Sequence, residues 1–359
     1  MATIVLAGGG TAGHIEPALA VARIWKLAHP HDDINFLGTK NGLENTLIPA
    51  SGFTLTLIPK VAISRRPSLS WTKIPIDLVN SVKASYVILK SADLLIGFGG
   101  YVSAPAYLAA RLAGVPTLVH EANAKPGWAN RLGALMTPYL AVANPVDSKE
   151  FTDALITGIP LRSDVAISLV ESSEDWSAAR VSAKQALGFD TKAPLILVMG
   201  GSQGSVAINS IINESLTALL SKNISILHSV GRLNALPPTQ GTYRPVAYVD
   251  DMAQAYLASD LIIARSGAVT CSEFGALGRY ALFVPLAIGN GEQLLNARTL
   301  VESGRAQVIA QSDFSAEYLI SSIDELLLRS RQAPVAGDMK DLEAGEKIVA
   351  LGEFAMGAQ

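Results

Sequence analysis

Short, wholly apolar runs alternate along nearly the entire chain with longer stretches in which apolar positions return every three or four residues. A run too short for a helix, and without a polar face, reads as a strand covered on both sides. Such strands belong to parallel sheets built from βαβ units. Strands are predicted at 3–7, 34–37, 55–58, 94–96, 117–120, 140–143 and 155–157. The pattern then restarts with 195–199, 224–229, 246–248, 261–264, 281–284 and 307–309. Between the two sets stands Gly158-Ile159-Pro160-Leu161-Arg162, followed by the polar and acidic stretch 171–175, a composition that suggests a hinge.

The two halves echo each other. Ile4-Val5-Leu6-Ala7-Gly8-Gly9-Gly10-Thr11 and Ile196-Leu197-Val198-Met199-Gly200-Gly201-Ser202-Gln203 both read as strand, glycine loop, helix start. The expected fold is therefore α/β: two Rossmann-like domains, 1–160 and 161–340, with parallel sheets facing across a cleft. Ligands would lie at the carboxyl ends of the strands. A closing helical stretch within 341–359 packs on one half or the other; sequence does not choose.

Composition narrows the classes. Of 359 residues, 49% are hydrophobic and 16% charged, against roughly 25% charged in ordinary soluble chains, so a disordered chain is excluded. A net charge of −3 argues against a general nucleic-acid binder. The single cysteine, Cys271, excludes an internal disulfide and any multi-cysteine metal site, and is expected to pack as a small apolar residue. A transmembrane helix is not expected either, because the most suspicious stretch, 94–110, is uncharged but broken by Gly97, Gly99, Gly100 and Pro105 and falls short of the ~20 apolar residues a span needs. The apolar run 4–7 stops at glycines without the basic lead of a secretory signal.

Gly8, Gly10 and Gly13 satisfy G-x-G-x-x-G, but no acidic residue follows the second strand to hold a dinucleotide ribose, since Asp32 and Asp33 precede it. Neither glycine loop carries G-K-[ST], which excludes a P-loop. What remains is a tight βα turn, or a loop that brings backbone N–H groups and a helix N-terminus to an anionic ligand, with Thr11 and Ser202 adding hydroxyls. His14 falls in the first helical turn. The dipole there favours neutral imidazole, suited to accept a proton; a histidine that merely caps or packs that turn is the alternative. His29 and His31 read as exposed, His228 as core, and His120 as either.

Arg265-Ser266-Gly267-Ala268-Val269-Thr270-Cys271-Ser272-Glu273 follows an apolar strand. It offers hydroxyls for phosphate and a carboxylate for ribose hydroxyls, although the same residues also start ordinary helices. In Asn290-Gly291-Glu292-Gln293, the Gln293 amide has the donor and acceptor to grip adjacent sugar hydroxyls. The chain has no D-x-D motif and no histidine–carboxylate metal spacing, so neither metal nor cofactor is expected. A diphosphate leaving group would be stabilised by N–H groups, hydroxyls and helix dipoles.

Gly9-Gly10-Thr11-Ala12-Gly13-His14, Gly99-Gly100-Tyr101-Val102-Ser103, His120-Glu121-Ala122-Asn123, Gly200-Gly201-Ser202-Gln203-Gly204 and 265–273, taken in this order, resemble the MurG family. The resemblance spans nearly the whole chain. It implies an enzyme that moves N-acetylglucosamine from its UDP donor to undecaprenyl-linked lipid I, making lipid II for peptidoglycan. It also implies an N-terminal acceptor domain and a C-terminal donor domain. By motif position, Ser202 would meet the diphosphate, Glu273 the ribose and Val249 the uracil. Ala268 and Gln293 would meet the sugar. Thr11, Gly13, Asn123 and Arg162 match further donor-binding positions, Ala12, Val269 and Thr270 further substrate positions, and His14 the proposed base. Ala12 stands where glycine is frequent in the family, Ala122 where glutamine is frequent, and Glu292 where a second glutamine often precedes Gln293.

The segment from Lys60 to Lys90 holds Lys60, Arg65, Arg66, Lys73, Lys83 and Lys90 against Asp77 alone, interleaved with Trp71, Ile74, Ile76, Leu78 and Val79. By itself it reads as a solvated helix with one buried side. With a lipid-linked acceptor implied, it becomes the expected contact with anionic headgroups at the cytoplasmic face of the cell membrane. The mechanism implied is inverting and metal-independent. A UDP-N-acetylglucosamine 2-epimerase and a non-catalytic nucleotide-sugar sensor are the rivals, with a NAD-dependent dehydrogenase last.

Overall fold

The computed structural model describes residues 1–61, 74–286 and 291–357. The chain divides into two compact units, Met1–Arg162 with Asp341–Gln359, and Ser163–Lys340.

In the first unit the strands are β1 (Thr3–Gly8), β2 (Asp33–Gly38), β3 (Thr54–Leu57), β4 (Leu94–Gly99), β5 (Thr117–Glu121), β6 (Tyr139–Val142) and β7 (Leu155–Ile156), in the sheet order β3-β2-β1-β4-β5-β6-β7. All the pairings are parallel. The connecting helices are α1 (Ala12–Ala28), α2 (Glu44–Ala50), α3 (Ile74–Leu89), α4 (Ser103–Ala113) and α5 (Trp128–Ala134). Strand β1 explains why the apolar runs are continuous. Ile4 and Leu6 join Ile15, Leu19 and Trp25 on one face of the sheet, while Val5 and Ala7 join Val102, Ala106 and Tyr107 on the other.

The second unit opens with α6 (Ser163–Ser172) and α7 (Trp176–Ala186). It continues through β8 (Leu195–Met199), α8 (Val206–Ser221), β9 (Ser225–Ser229), β10 (Tyr243–Val246), α9 (Met252–Ala258), β11 (Leu261–Ala264), α10 (Ala268–Ala276) and β12 (Ala281–Phe283). It ends with α11 (Glu292–Asn296), α12 (Arg298–Glu302), β13 (Ala306–Val308) and α13 (Ala316–Gln332). Its parallel sheet has the order β10-β9-β8-β11-β12-β13. The strand expected at 246–248 runs instead over Tyr243–Val246. It is an edge strand, and an edge tolerates the missing N–H of Pro245. The last helix, α14 (Ala344–Gly357), belongs to the first unit. Gly352 sits where a Cβ would come within 2.9 Å of Leu94 and Trp25, so α14 lies flat on the core.

Each sheet reverses its strand order once, between β1 and β4 in the first and between β8 and β11 in the second. At such a switch point adjacent connections leave on opposite faces, and a crevice opens beyond the carboxyl ends. The loops that follow β1, β4, β8 and β11 are the four glycine-bearing segments singled out in the sequence.

Candidate active site

In the first unit two glycine loops meet backbone to backbone. A Cβ on Gly100, at φ +81°, would strike the Gly9 carbonyl, and a Cβ on Gly10, at φ +93°, would lie 2.6 Å from the Tyr101 ring. Ser103 clamps the two strands, its hydroxyl donating to the carbonyls of Ala7 and Gly99, both at 2.8 Å. Helix α1 starts at Thr11 without a side-chain cap and without acid in its first turn. Helices α7, α9 and α13 are capped by Asp175, Asp251 and Ser315. The first turn of α1, carrying Thr11, Ala12, Gly13 and His14, therefore offers its dipole outward.

His14 is half-buried, with Nδ1 3.2 Å from the Gly9 carbonyl and 3.3 Å from the Thr11 hydroxyl. A carbonyl only accepts, so this contact places the proton on Nδ1 and leaves Nε2 with its lone pair. Burial lowers the His14 pKa below the ordinary imidazole value, opposed by Glu121, by the Gly9 carbonyl and by Glu44.

Those two carboxylates are buried, and their role was not visible in the sequence. Glu44 takes the Gly10 N–H (3.1 Å) on Oε2, and on Oε1 the Thr39 N–H (3.0 Å), the Thr39 hydroxyl (3.3 Å) and the Tyr101 hydroxyl (2.9 Å). Glu121 takes the backbone and side-chain N–H groups of Asn123 on Oε1, and Gly127 N–H and the Asn130 amide on Oε2. Asn123 is thus anchored in the first unit, beside the carboxylate that faces His14. Arg162 also lies in the first unit, with Nη1 3.7 Å from Glu16 Oε1 on α1. His120 resolves as structural. It is buried, with Nε2 2.9 Å from the Gly158 carbonyl, and burial pushes its pKa down to about 4. His228 is core, as expected, between Tyr243 and Asn209.

The second unit carries Ser202, Val249, Ala268, Val269, Thr270, Glu273 and Gln293. Gly201 (φ +89°) and Gly204 (φ +76°) shape the loop after β8, leaving Ser202 half-buried within it. Ser205 caps α8 and accepts from Arg265 Nη2 at 2.8 Å. Arg265 also donates to the carbonyls of Val284 and Pro285 and to the Gln311 side chain. That guanidinium ties the loops after β8, β11 and β12 together, a role that spacing did not reveal. Helix α10 starts at Gly267 without a side-chain cap, so the half-buried Ala268, Val269 and Thr270 form an open first turn. Glu273 is buried, and Oε2 accepts the Tyr256 hydroxyl at 2.8 Å. Val249 is buried just before α9. Gln293 Oε1 accepts the Leu286 N–H at 2.9 Å, which fixes the amide. Cys271 is buried and packs as expected, and burial raises its thiol pKa. Asn290 lies outside the described residues, and among those described no group of three or more His, Cys, Asp or Glu is placed to hold a metal ion.

Comparison with known proteins gives concordant matches. Residues 4–142 match the glycosyltransferase family 28 N-terminal domain, and residues 195–349 match its C-terminal domain. A relative from Streptomyces coelicolor is 44% identical over 89% of this chain and 88% of its own length. It is named UDP-N-acetylglucosamine–N-acetylmuramyl-(pentapeptide) pyrophosphoryl-undecaprenol N-acetylglucosamine transferase. The crystal structure of Acinetobacter baumannii MurG superposes with a TM-score of 0.68 at 27% identity, covering 99% of this chain and 100% of that one. A UDP-N-acetylglucosamine 2-epimerase from Neisseria meningitidis gives a TM-score of 0.62 at 15% identity, covering 98% and 99% of the two chains, a likeness of fold alone.

Proposed function

The chain belongs to glycosyltransferase family 28 and, within it, to the MurG family, and from that membership we infer a division of labour between its two units. The reaction is transfer of N-acetylglucosamine from UDP-N-acetylglucosamine to lipid I in peptidoglycan synthesis. In our proposal the first unit binds the acceptor and supplies the base, and the second holds the donor.

The N-acetylmuramic acid C4 hydroxyl gives its proton to His14 Nε2. Its oxygen attacks the anomeric carbon from the side opposite UDP, so the α-linked donor yields a β1→4 product in one displacement. The observation that carries this step is the contact between His14 Nδ1 and the Gly9 carbonyl, which leaves Nε2 as the acceptor. As His14 becomes positive, the buried charges of Glu44 and Glu121 stabilise it.

On the donor side, the N–H groups of Ala268, Val269 and Thr270, together with Ser202, neutralise the departing diphosphate without a divalent ion. Glu273 takes the ribose hydroxyls, the backbone of Val249 the uracil, and Ala268 and Gln293 the sugar. Thr11, Ala12, Gly13, Asn123 and Arg162 serve the first-unit side of the reaction.

Membrane contact is assigned to α3. This helix turns Ser81, Ser85 and Leu89 toward the protein and leaves Ile76, Val79, Tyr86 and Val87 at 63%, 51%, 40% and 62% exposure, with Lys83 and Lys90 beside them. Although Leu89, Val82 and Ile88 pack on the core, the exposed aliphatics beside lysines suit an apolar, anionic phase outside the protein. Arg65, Arg66, Trp71 and Lys73 lie outside the described residues, and among those described no helix is long and apolar enough to cross a membrane. Peripheral attachment at the cytoplasmic face is part of the same proposal.

The test is label transfer from UDP-N-acetylglucosamine to a lipid I analogue in the presence of chelator, with product anomer determined by NMR. A β-linked product is expected. Dependence on a divalent ion, or epimerised nucleotide sugar without acceptor, contradicts the proposal.

A further inference from the structure

The amino edge of the second sheet, opposite the loops just described, gathers three arginines. Arg279 lies just before β12, Arg305 just before β13, and Arg180 reaches the same edge from α7. Arg180 Nη2 donates to the carbonyls of Gly278 and Val335. Arg305 donates to those of Pro334 and Ala336, at 2.8 and 2.6 Å. Residues 334–336, which the chain follows after α13, are therefore held by two guanidiniums on consecutive carbonyls. The Asp338 N–H adds a bond to the Gly275 carbonyl.

Arg279 makes no such bond. Its side chain lies between these partners at 4% exposure, and Nε and Nη1 are buried without a hydrogen-bond partner among the described residues; so is Arg180 Nε. Asp260 faces Arg180 and Arg279, but its Oδ2 already accepts from Lys184 Nζ (2.6 Å) and the Leu195 N–H (2.7 Å). Asp338, which faces Arg305, is exposed. Burial, with Arg180 and Arg305 nearby, pushes Arg279 down to about 9, so it still carries its charge at neutral pH.

Buried charges in proteins are paired, and buried N–H groups are bonded. Four cations, counting Lys184, stand against two carboxylates, with unused guanidinium N–H groups at the centre, so positive charge is in excess there. We propose that Arg279, with Arg180 and Arg305, forms a binding site for a small tetrahedral oxyanion of the phosphate class at the amino edge of the second sheet. The planar fork of Arg279 matches two oxygens of such an ion. At 4% exposure Arg279 is too enclosed for an extended molecule, so the proposed ligand is a free ion. Bound there, the ion fastens the segment 334–338, through which the chain leaves the second unit before Asp341.

The full chain, saturated with UDP to fill the donor loops, is titrated with inorganic phosphate while thermal unfolding is followed, with sodium chloride at equal ionic strength as the reference. A phosphate-specific rise in Tm is expected. Arg279→Met and Arg305→Met should weaken the apparent affinity at least tenfold, and Arg279→Met alone, free of the buried charge, should melt no lower than wild type without phosphate. No rise beyond chloride, or an equal rise in Arg279→Met, overturns the site. Tighter binding of glycerol phosphate than of phosphate overturns the free-ion assignment. A crystal soaked in selenate supplies a readout that needs no variant: an anomalous peak at Arg279 is expected, and its absence at saturation refutes the proposal.

Discussion

Removing the charge of Glu44 separates its role as organiser of the first glycine loop from a bystander's. Its Oε2 holds Gly10 N–H alone, whereas Oε1 takes three donors. In Glu44→Gln the least costly orientation keeps the amide oxygen at the three-donor side and turns the NH₂ toward Gly10. One bond to a charged acceptor is then replaced by two facing donors, a loss of about 1.5–3 kcal/mol. Glu44→Ala costs more. The Thr39 and Tyr101 hydroxyls, 3.1 Å apart, can bond each other, but the N–H groups of Gly10 and Thr39 cannot turn away. With the cavity added, about 4 kcal/mol is expected. Because the Gly9 carbonyl holds His14 Nδ1, the same change should loosen the imidazole. Urea unfolding of the first unit and steady-state turnover are the assays. Glu44→Gln should lower the midpoint and reduce kcat roughly tenfold, with KM for the UDP donor little changed. An unchanged midpoint together with unchanged kcat would refute the reasoning.

Three further outcomes are expected. His14→Ala should lose ~10²–10⁴-fold in turnover while UDP affinity is retained; because its pKa is lowered and the neutral ring is the active form, the acid limb of kcat/KM should fall below the ordinary value of about 6.5, and a limb above that value removes His14 as the base. His120 and His228, both pushed down to about 4 by burial, bind fewer protons folded than unfolded, so each contributes about 3 kcal/mol above pH ~6.5 that is lost as pH falls toward 4. His228→Gln should flatten that stretch of a pH–stability curve, and an unaltered slope contradicts the assignment. Ile76→Asp combined with Val87→Asp should abolish co-sedimentation with phosphatidylglycerol vesicles while changing stability by only about 0.5 kcal/mol; retained binding would exclude α3 as the contact.

Most strands could be placed from the sequence because parallel strands covered on both faces leave unbroken apolar runs, as β4 and β8 do. The glycine loops were legible for a similar reason, since the backbone contact between Gly100 and Gly9 leaves no room for a side chain. The edge strand β10 was misplaced because Pro245 interrupts its pattern. What stayed hidden acts across distance. Glu44 reads as an ordinary first-turn acid, yet besides nearby Thr39 its partners lie 34 and 57 residues away at Gly10 and Tyr101. Arg265 reaches back 60 residues to Ser205. Helix α3, to which the proposal assigns membrane contact, has ordinary apolar spacing, and only the structure shows that Ile76, Val79 and Val87 stay exposed.

A crystal of the chain grown with UDP-N-acetylglucosamine tests the central claim most directly, that the carboxyl edge of the second sheet grips the donor. The uracil should lie on the backbone of Val249, the ribose at Glu273, the diphosphate at Ser202 and the first turn of α10, and the sugar at Gln293. A donor bound elsewhere, or a diphosphate held through a divalent ion in place of those N–H groups, would contradict it.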